Sequence, residues 1–324
     1  MKKTIRIGTR DSELALWQAN TVKSKLEALG YTTQLVPVKS EGDLVLDKPL
    51  YEMGITGIFT KTLDVAMIKG TVDIAVHSMK DVPTQLPNGI VQTAVLARAS
   101  SEDILVQPPL IPPRGEIDPE QPCTIATGSL RRQAQWLHRY PHHKVVDLRG
   151  NVNTRLQKLK DNNWQGAIFA KAGLQRLGYV SEANIKSPSF GGVGEAFWEV
   201  LDWMLPAPAQ GAMVIVALEN DDFCKEATSK LNDPASEICT HIEREFLRTL
   251  EGGCTAPIGA FAEIIEDKVL LKGCLFSLDG KEKLEIEKTV DKTDYLHFGK
   301  ECALQILKNG GSELMAQIKS QINK

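Results

Sequence analysis

An apolar run, Val72, Ile74, Ala75 and Val76, stops in the charged pair Lys80 and Asp81, and Pro83 follows at once. A carboxylate beside an ammonium group can accept hydrogen bonds, offset a developing positive charge and move a proton. The run has the composition of a buried parallel strand, and Pro83 cannot continue a ladder. The pair therefore falls at the carboxyl end of a strand, where open α/β sheets bind ligands. Taken alone, two adjacent opposite charges are equally well explained by a solvated loop.

Other strand ends supply company. Arg10 and Ser12 follow the Ile5, Ile7 alternation, and Thr127 and Ser129 follow Thr124-Ile-Ala. Arg131 and Arg132 open the next helix, Arg149 follows Val145-Val-Asp-Leu148, and Arg155 and Arg176 stand on the helices beyond. Each arginine singly would be a surface salt bridge. Their shared position in a chain of net charge −3 makes them a local concentration. Guanidinium forks and helix N-termini suit carboxylates or phosphates, so the implied ligand carries several negative charges.

Two phosphate-binding motifs fail on inspection. Gly54-Ile-Thr-Gly57 approaches Lys61-Thr62, but Thr60 stands where a phosphate loop needs glycine. Gly192-Val-Gly194 lacks the third glycine of a dinucleotide fingerprint and follows no strand. Of the cysteines at 123, 224, 239, 254, 274 and 302, none forms a Cys-x-x-Cys motif. Cys254 differs in following Gly252-Gly253 at an expected domain edge, where a thiol would be accessible; no base lies near it in sequence. His142 and His143 are neighbours and no His-x-x-x-His occurs, so no metal is expected.

The elements that hold these residues follow a β-α-β rhythm. A strand through Ile5 and Ile7 leads to a helix with Ala15, Ala19, Val22 and Leu26 on one face, capped by Asp11 or Ser12 and ended by Gly30. A strand over 33–38, a helix through Leu63 and Met67, and the opening strand complete a doubly wound unit. The rhythm returns after a Pro-rich passage at 107–122, with strands at 124–126, 145–148 and 167–170. A second Pro-rich passage, 205–210, precedes the apolar strand 213–218. If that strand returns to the first sheet, two crossings join the lobes and form a hinge. From about 236 a helix through Ile238, Ile242, Phe246 and Leu250, hairpin strands and two helices make a small α+β unit. The expected fold is α/β: two doubly wound lobes, 1–102 with 211–230 and 103–210 including the hinge, plus a C-terminal domain at 231–324.

At 324 residues, 42% hydrophobic and 24% charged, the chain has the composition of a soluble globular protein. A pI near 6.1 argues against a nucleic-acid or membrane-surface binder. No run of about 18 apolar residues occurs, and a cytoplasmic protein is expected.

Five stretches, in order, resemble the porphobilinogen deaminase family: His77-Ser-Met-Lys-Asp-Val-Pro83, Ser129-Leu-Arg-Arg-Gln133, Leu148-Arg-Gly-Asn-Val-Asn-Thr-Arg155, Ala172-Gly-Leu-Gln-Arg-Leu-Gly178 and Leu250-Glu-Gly-Gly-Cys254. The resemblance implies two lobes like those of periplasmic binding proteins, and a dipyrromethane cofactor held by a thioether at Cys254. It implies a transferase that joins four porphobilinogen units with loss of ammonia and releases hydroxymethylbilane, as a monomer without metal, nucleic acid or membrane. Asp81 would be catalytic. Lys80, Asp81, Thr127, Ser129, Arg131, Arg132, Arg149 and Arg155 would bind the cofactor, and Arg10, Ser12, Gln18, Arg149, Arg155 and Arg176 the substrate. Thr56 stands where the family often has Lys, Gly128 where it has Ser, and Pro208-Ala209 where it has Val-Gly; the segment 189–205, with Trp198 and Trp203 expected as packing, looks longer. The alternatives are a non-catalytic two-lobed polyanion-binding protein, which would not need Cys254 or the third domain, and a cysteine hydrolase, which would need a base near Cys254.

Overall fold

The computed structural model describes residues 3–39, 60–108, 120–181, 197–250 and 256–322. Thr56, both glycine motifs at 54–57 and 192–194, most of the first Pro-rich passage and Cys254 lie outside the described residues. The chain begins with β1 (Thr4–Thr9), α1 (Glu13–Ala28), β2 (Thr32–Pro37), α2 (Lys61–Ile68), β3 (Ile74–Ser78), β4 (Ile90–Val95) and β5 (Asp103–Gln107). Next come β6 (Thr124–Ala126), α3 (Leu130–Arg139), β7 (Lys144–Val146), α4 (Val152–Asp161), β8 (Gly166–Ala170), α5 (Lys171–Arg176) and β9 (Phe197–Val200). Then follow β10 (Met213–Leu218), α6 (Asp222–Ser229), α7 (Pro234–Thr249), β11 (Ile258–Ile265), β12 (Lys268–Phe276), β13 (Lys283–Asp291), α8 (Phe298–Ile306) and α9 (Ser312–Ile322).

The first sheet has the order β2-β1-β3-β10-β4 and the second β7-β6-β8-β5-β9. In each, the strand fourth in order runs antiparallel to its neighbours: β10 in the first, β5 in the second. The strand at 213–218 does return to the first sheet. The chain thus leaves the first lobe after β4 and comes back through 201–212, and the two crossings lie side by side. Leu96 N–H donates to the Met213 carbonyl at 3.0 Å and Ala99 N–H to that of Gly211 at 3.3 Å. Gly211 has φ +88°, and a Cβ there would stand 2.5 Å from the Ala99 oxygen. Close approach and left-handed backbone both require glycine at this point.

Local sequence sets the ends of the elements. Ser12 rather than Asp11 caps α1, accepting from Ala15 N–H at 3.4 Å, and Gly30 at φ +85° ends it. The sheets bury Ile5, Ile7, Ile74 and Ile215 on one face of the first lobe, and Ile104, Val106, Ala167 and Phe169 in the second. In the 189–205 segment, the described part supplies β9, an edge strand not anticipated from the sequence. Trp198 is buried in the second lobe, and Trp203 packs 5.8 Å from the Trp136 ring, so both are packing residues.

The C-terminal unit is an antiparallel sheet, β11-β12-β13, covered by helices. Cys239, Ile242 and Phe246 line the inner face of α7 against Leu271 and Ala303. Full burial of Phe246 contributes roughly 1.5–3 kcal/mol. Among the described residues, no helix is long and apolar enough to cross a membrane.

Candidate active site

β3 ends at Ser78, and one 3-10 turn, Met79–Asp81, follows. Met79 and Val82 are 2% and 4% exposed, anchored among Ala209, Ala212 and Val214. Met79 N–H donates to the Ala212 carbonyl at 3.0 Å. Two buried apolar residues three apart leave Lys80 and Asp81 between them, half-buried and facing the second lobe. Gln18, itself buried, donates its amide to Ser78 Oγ at 2.8 Å and steadies the residue before the turn.

The second lobe brings cations to the same place. Arg131 and Arg132 lie in the first turn of α3, where the helix dipole disfavours positive charge. Asp103, at the head of β5 and wholly buried, compensates: Arg131 Nη2 meets its Oδ2 at 2.7 Å and Arg132 Nη2 its Oδ1 at 2.8 Å. Burial alone would raise the Asp103 pKa, yet the two guanidiniums hold it at about 2. Arg131 Nη1 also donates to the Leu205 carbonyl, and Arg132 Nη1 to that of Ile168. These two arginines are tied into the protein more tightly than a simple ligand grip would require.

Gln210 links the two lobes. Its Oε1 accepts from Lys80 Nζ at 3.1 Å, and its Nε2 donates to Asp103 Oδ1 at 2.8 Å. Burial, with Arg132 nearby, pushes the Lys80 pKa down to about 8 against the pull of Asp81. Arg155, on α4, is pushed down to about 10 by burial and by Arg132 and Arg149, while Asp81 acts in the opposite sense. Its Nε donates to the Gly150 carbonyl at 2.8 Å. Arg149 is 5% exposed, and burial lowers its pKa. Thr127 Oγ1 accepts from Ser129 N–H at 3.3 Å, and Ser129 caps α3 by accepting from Arg132 N–H.

Lys80, Arg131, Arg132, Arg149 and Arg155 thus share one electrostatic neighbourhood with Asp81, Asp103 and Asp147. Five cations face three carboxylates, a surplus suited to a ligand bearing several carboxylates. Arg10 approaches from the first lobe beside His77, whose pKa burial lowers to about 4, with Arg10 adding to the effect. The ring is therefore neutral at pH 7. Asn153 donates to Glu13 Oε2 at 2.6 Å, bridging α4 and the start of α1.

Arg176 is placed differently. It donates to the Gly211 carbonyl at 2.7 Å and lies over the Trp17 ring, beside a cavity of about 560 Å³ at the lobe junction. Gly128 has a packing reason: a Cβ there would stand 2.7 Å from the Leu148 carbonyl oxygen. The five described cysteines are buried, and burial raises Cys224 to about 12 and Cys239, Cys274 and Cys302 to about 11. Such thiols are poor nucleophiles.

The sequence points to Asp81 as the catalytic carboxylate and passes over Asp103, a second carboxylate of the site. It also passes over Gln210, Arg98, Glu243 and Arg244. Asp103 had a signal, since it heads the buried run Ile104-Leu-Val106. Glu243 had another, since it lies four residues from Cys239 on the apolar face of α7.

Two doubly wound lobes joined by a double crossing, with cations from both gathered around Asp81 and Asp103 and a third unit behind the hinge, define a two-lobed α/β protein with a cationic site at the lobe junction. The description "Porphobilinogen deaminase, dipyromethane cofactor binding domain" matches residues 5–226, and the family's C-terminal domain matches 237–308. The porphobilinogen deaminase of a Nitratiruptor species is 38% identical over 99% of this chain and 98% of its own length. That of Geotalea uraniireducens is 39% identical over 98% of this chain and 95% of its own. An arginine transport-system periplasmic binding protein from Legionella pneumophila overlaps 70% of this chain and 91% of its own at 10% identity and a TM-score of 0.39. The chain belongs to the porphobilinogen deaminase family. That membership favours an enzyme over a non-catalytic carrier of polyanions, and the matched domain is the one that holds a dipyrromethane.

Proposed function

We propose that the chain joins four porphobilinogen units head to tail on a dipyrromethane primer held through Cys254, and releases linear hydroxymethylbilane by addition of water. The observation that carries this reading is the meeting of Lys80 from one lobe and Arg155 from the other at the Asp81 carboxylate, with Arg132 beside both and Arg149 beside Arg155. Each pyrrole bears an acetate and a propionate, so each addition brings two more negative charges to a site with a surplus of positive ones.

When bound, the dipyrromethane supplies the pyrrole carbon to which the first substrate is joined. Lys80, Arg149 and Arg155 hold carboxylates, and the Thr127 and Ser129 hydroxyls donate shorter hydrogen bonds to the same groups. Arg131 and Arg132 contribute charge from their fixed places on Asp103. Arg10 and Ser12, with Gln18 behind them, position the substrate, and Arg176 acts on it from the lobe junction. Asp81 accepts the pyrrole N–H of the substrate and offsets the positive charge that develops as the aminomethyl C–N bond breaks and ammonia leaves. It then takes up the ring proton displaced when the new carbon–carbon bond forms.

The division of labour follows the chain: 1–102 with 211–230 carries Asp81, Lys80 and Arg10, 103–210 the other arginine grips, and 231–324 the primer cysteine. The reading is of a cytoplasmic monomer acting on small molecules, and a net charge of −3 gives it no general attraction for nucleic acid or an anionic membrane. The reaction as written calls on no metal. Intact mass tests the proposal: purified wild-type protein carries an adduct of two pyrroles that disappears in Cys254→Ala. An unmodified wild-type chain sinks the primer assignment.

A further inference from the structure

Helix α7 leads toward the primer cysteine, and two consecutive residues on it reach back into the first lobe. Glu243 takes hold of the hinge. Arg244 does something different: its Nη1 donates to the Val82 carbonyl at 2.9 Å and the Met79 carbonyl at 3.2 Å, and its Nη2 to the Pro83 carbonyl at 2.6 Å. These three carbonyls bracket Lys80 and Asp81. The turn is tied at its start by Met79 N–H on Ala212, and along its exit by one guanidinium from the third unit.

Pro83 explains why an outside donor is needed. Pro83 lacks an N–H and ends the ladder; within the turn Val82 N–H donates to the Met79 carbonyl at 3.2 Å, which leaves the Val82 and Pro83 carbonyls to a donor from outside the sheet. A planar fork reaches the three acceptors from two nitrogens, whereas an ammonium group must reach them from a single point.

We propose that Arg244 is a positioning residue for the reaction, setting Asp81 at a fixed place relative to the helix that precedes the primer attachment loop. The inference rests on the proposed function, since it takes Asp81 as the catalytic carboxylate. It makes Arg244 act through Asp81: the arginine orients the backbone that carries the carboxylate, and substrate never touches it.

The test is a double-mutant cycle on protein counted by its pyrrole adduct. Arg244→Gln is expected to keep the adduct and a KM within about threefold of wild type while kcat falls about 10- to 100-fold, the scale of a misplaced reacting group. Arg244→Lys recovers part of that loss. Combined with Asp81→Asn, Arg244→Gln causes no further fall, because the group it positions is gone. An unaltered kcat per adduct-bearing molecule in Arg244→Gln overturns the proposal, as does a full additional loss in the double variant. Should Arg244→Gln fail to fold, the same cycle with Arg244→Lys decides between the two. Failure of the deaminase reading shows separately, as a wild-type chain without adduct or turnover.

Discussion

Glu243 and Arg98 meet in a two-point ion pair, with Arg98 Nη1 on Oε1 at 2.6 Å and Nη2 on Oε2 at 3.0 Å. The carboxylate is fully buried and also accepts from Ala209 N–H at 2.6 Å and Ala262 N–H at 2.7 Å. One side chain of the third unit thereby holds both crossings and the first strand of its own sheet. Replacing it with alanine strands a guanidinium and two backbone donors in the interior. Glu243→Ala should lower stability by roughly 3–5 kcal/mol, seen in a denaturant titration, and hydrogen exchange should rise at 98–100 and 209–211 together.

Ala209 stands at φ +61°, a left-handed conformation that costs an L-residue about 1–2 kcal/mol and glycine almost nothing. The sequence flagged this position as one where the family has glycine, and the backbone supplies the reason. Ala209→Gly should therefore leave stability unchanged or raised, since relief of strain offsets the lost methyl and the added chain freedom. Ala217→Gly, in the buried strand β10, should instead cost about 1 kcal/mol. Parallel thermal melts of the two variants make the comparison.

Lys80 predicts opposite pH trends for stability and for binding. Its folded pKa of about 8 lies below the ordinary 10.5. Between those values the unfolded chain keeps a proton that the folded one sheds, so the contribution to stability rises with pH across that window. Carboxylate binding needs the ammonium form and weakens as pH passes about 8. Primer assembly on cofactor-free protein, followed by mass, should slow above that pH, and Lys80→Arg should move the alkaline limb upward. An unchanged limb in Lys80→Arg would remove Lys80 from the carboxylate grip.

The parts of the site that were readable in the sequence share a local cause. Lys80 and Asp81 end an apolar run before proline, and Ser12 and Ser129 precede helical periodicity, so each could be placed from its neighbours alone. The partners of those residues could not. Gln210 and Asp103 are 107 positions apart, Arg98 and Glu243 145, and Arg244 and Val82 162. Such pairs form only because β10 returns to the first sheet and α7 packs behind the hinge. Arg131 and Arg132 show the same limit: their type and place suggested ligand binding, but their geometry depends on the carboxylate of β5.

Asp81 separates chemistry from structure more cleanly than any of its neighbours. The turn is fixed by Met79 and Val82 in the core and by the backbone bonds to Ala212 and Arg244, none of which uses the Asp81 side chain. Asp81→Asn keeps size and shape while removing the negative charge and the ability to take a proton. The variant should fold, melt close to wild type and carry the two-pyrrole adduct, because the cations that grip carboxylates remain. Turnover of porphobilinogen should fall about 10²- to 10⁴-fold, with the loss in kcat rather than in KM. Single-turnover mass spectra should show the adduct without added pyrroles. Near-normal turnover would mean that the positive charge developing as ammonia leaves is offset elsewhere, and Asp103, already committed to two guanidiniums, is poorly placed to do it.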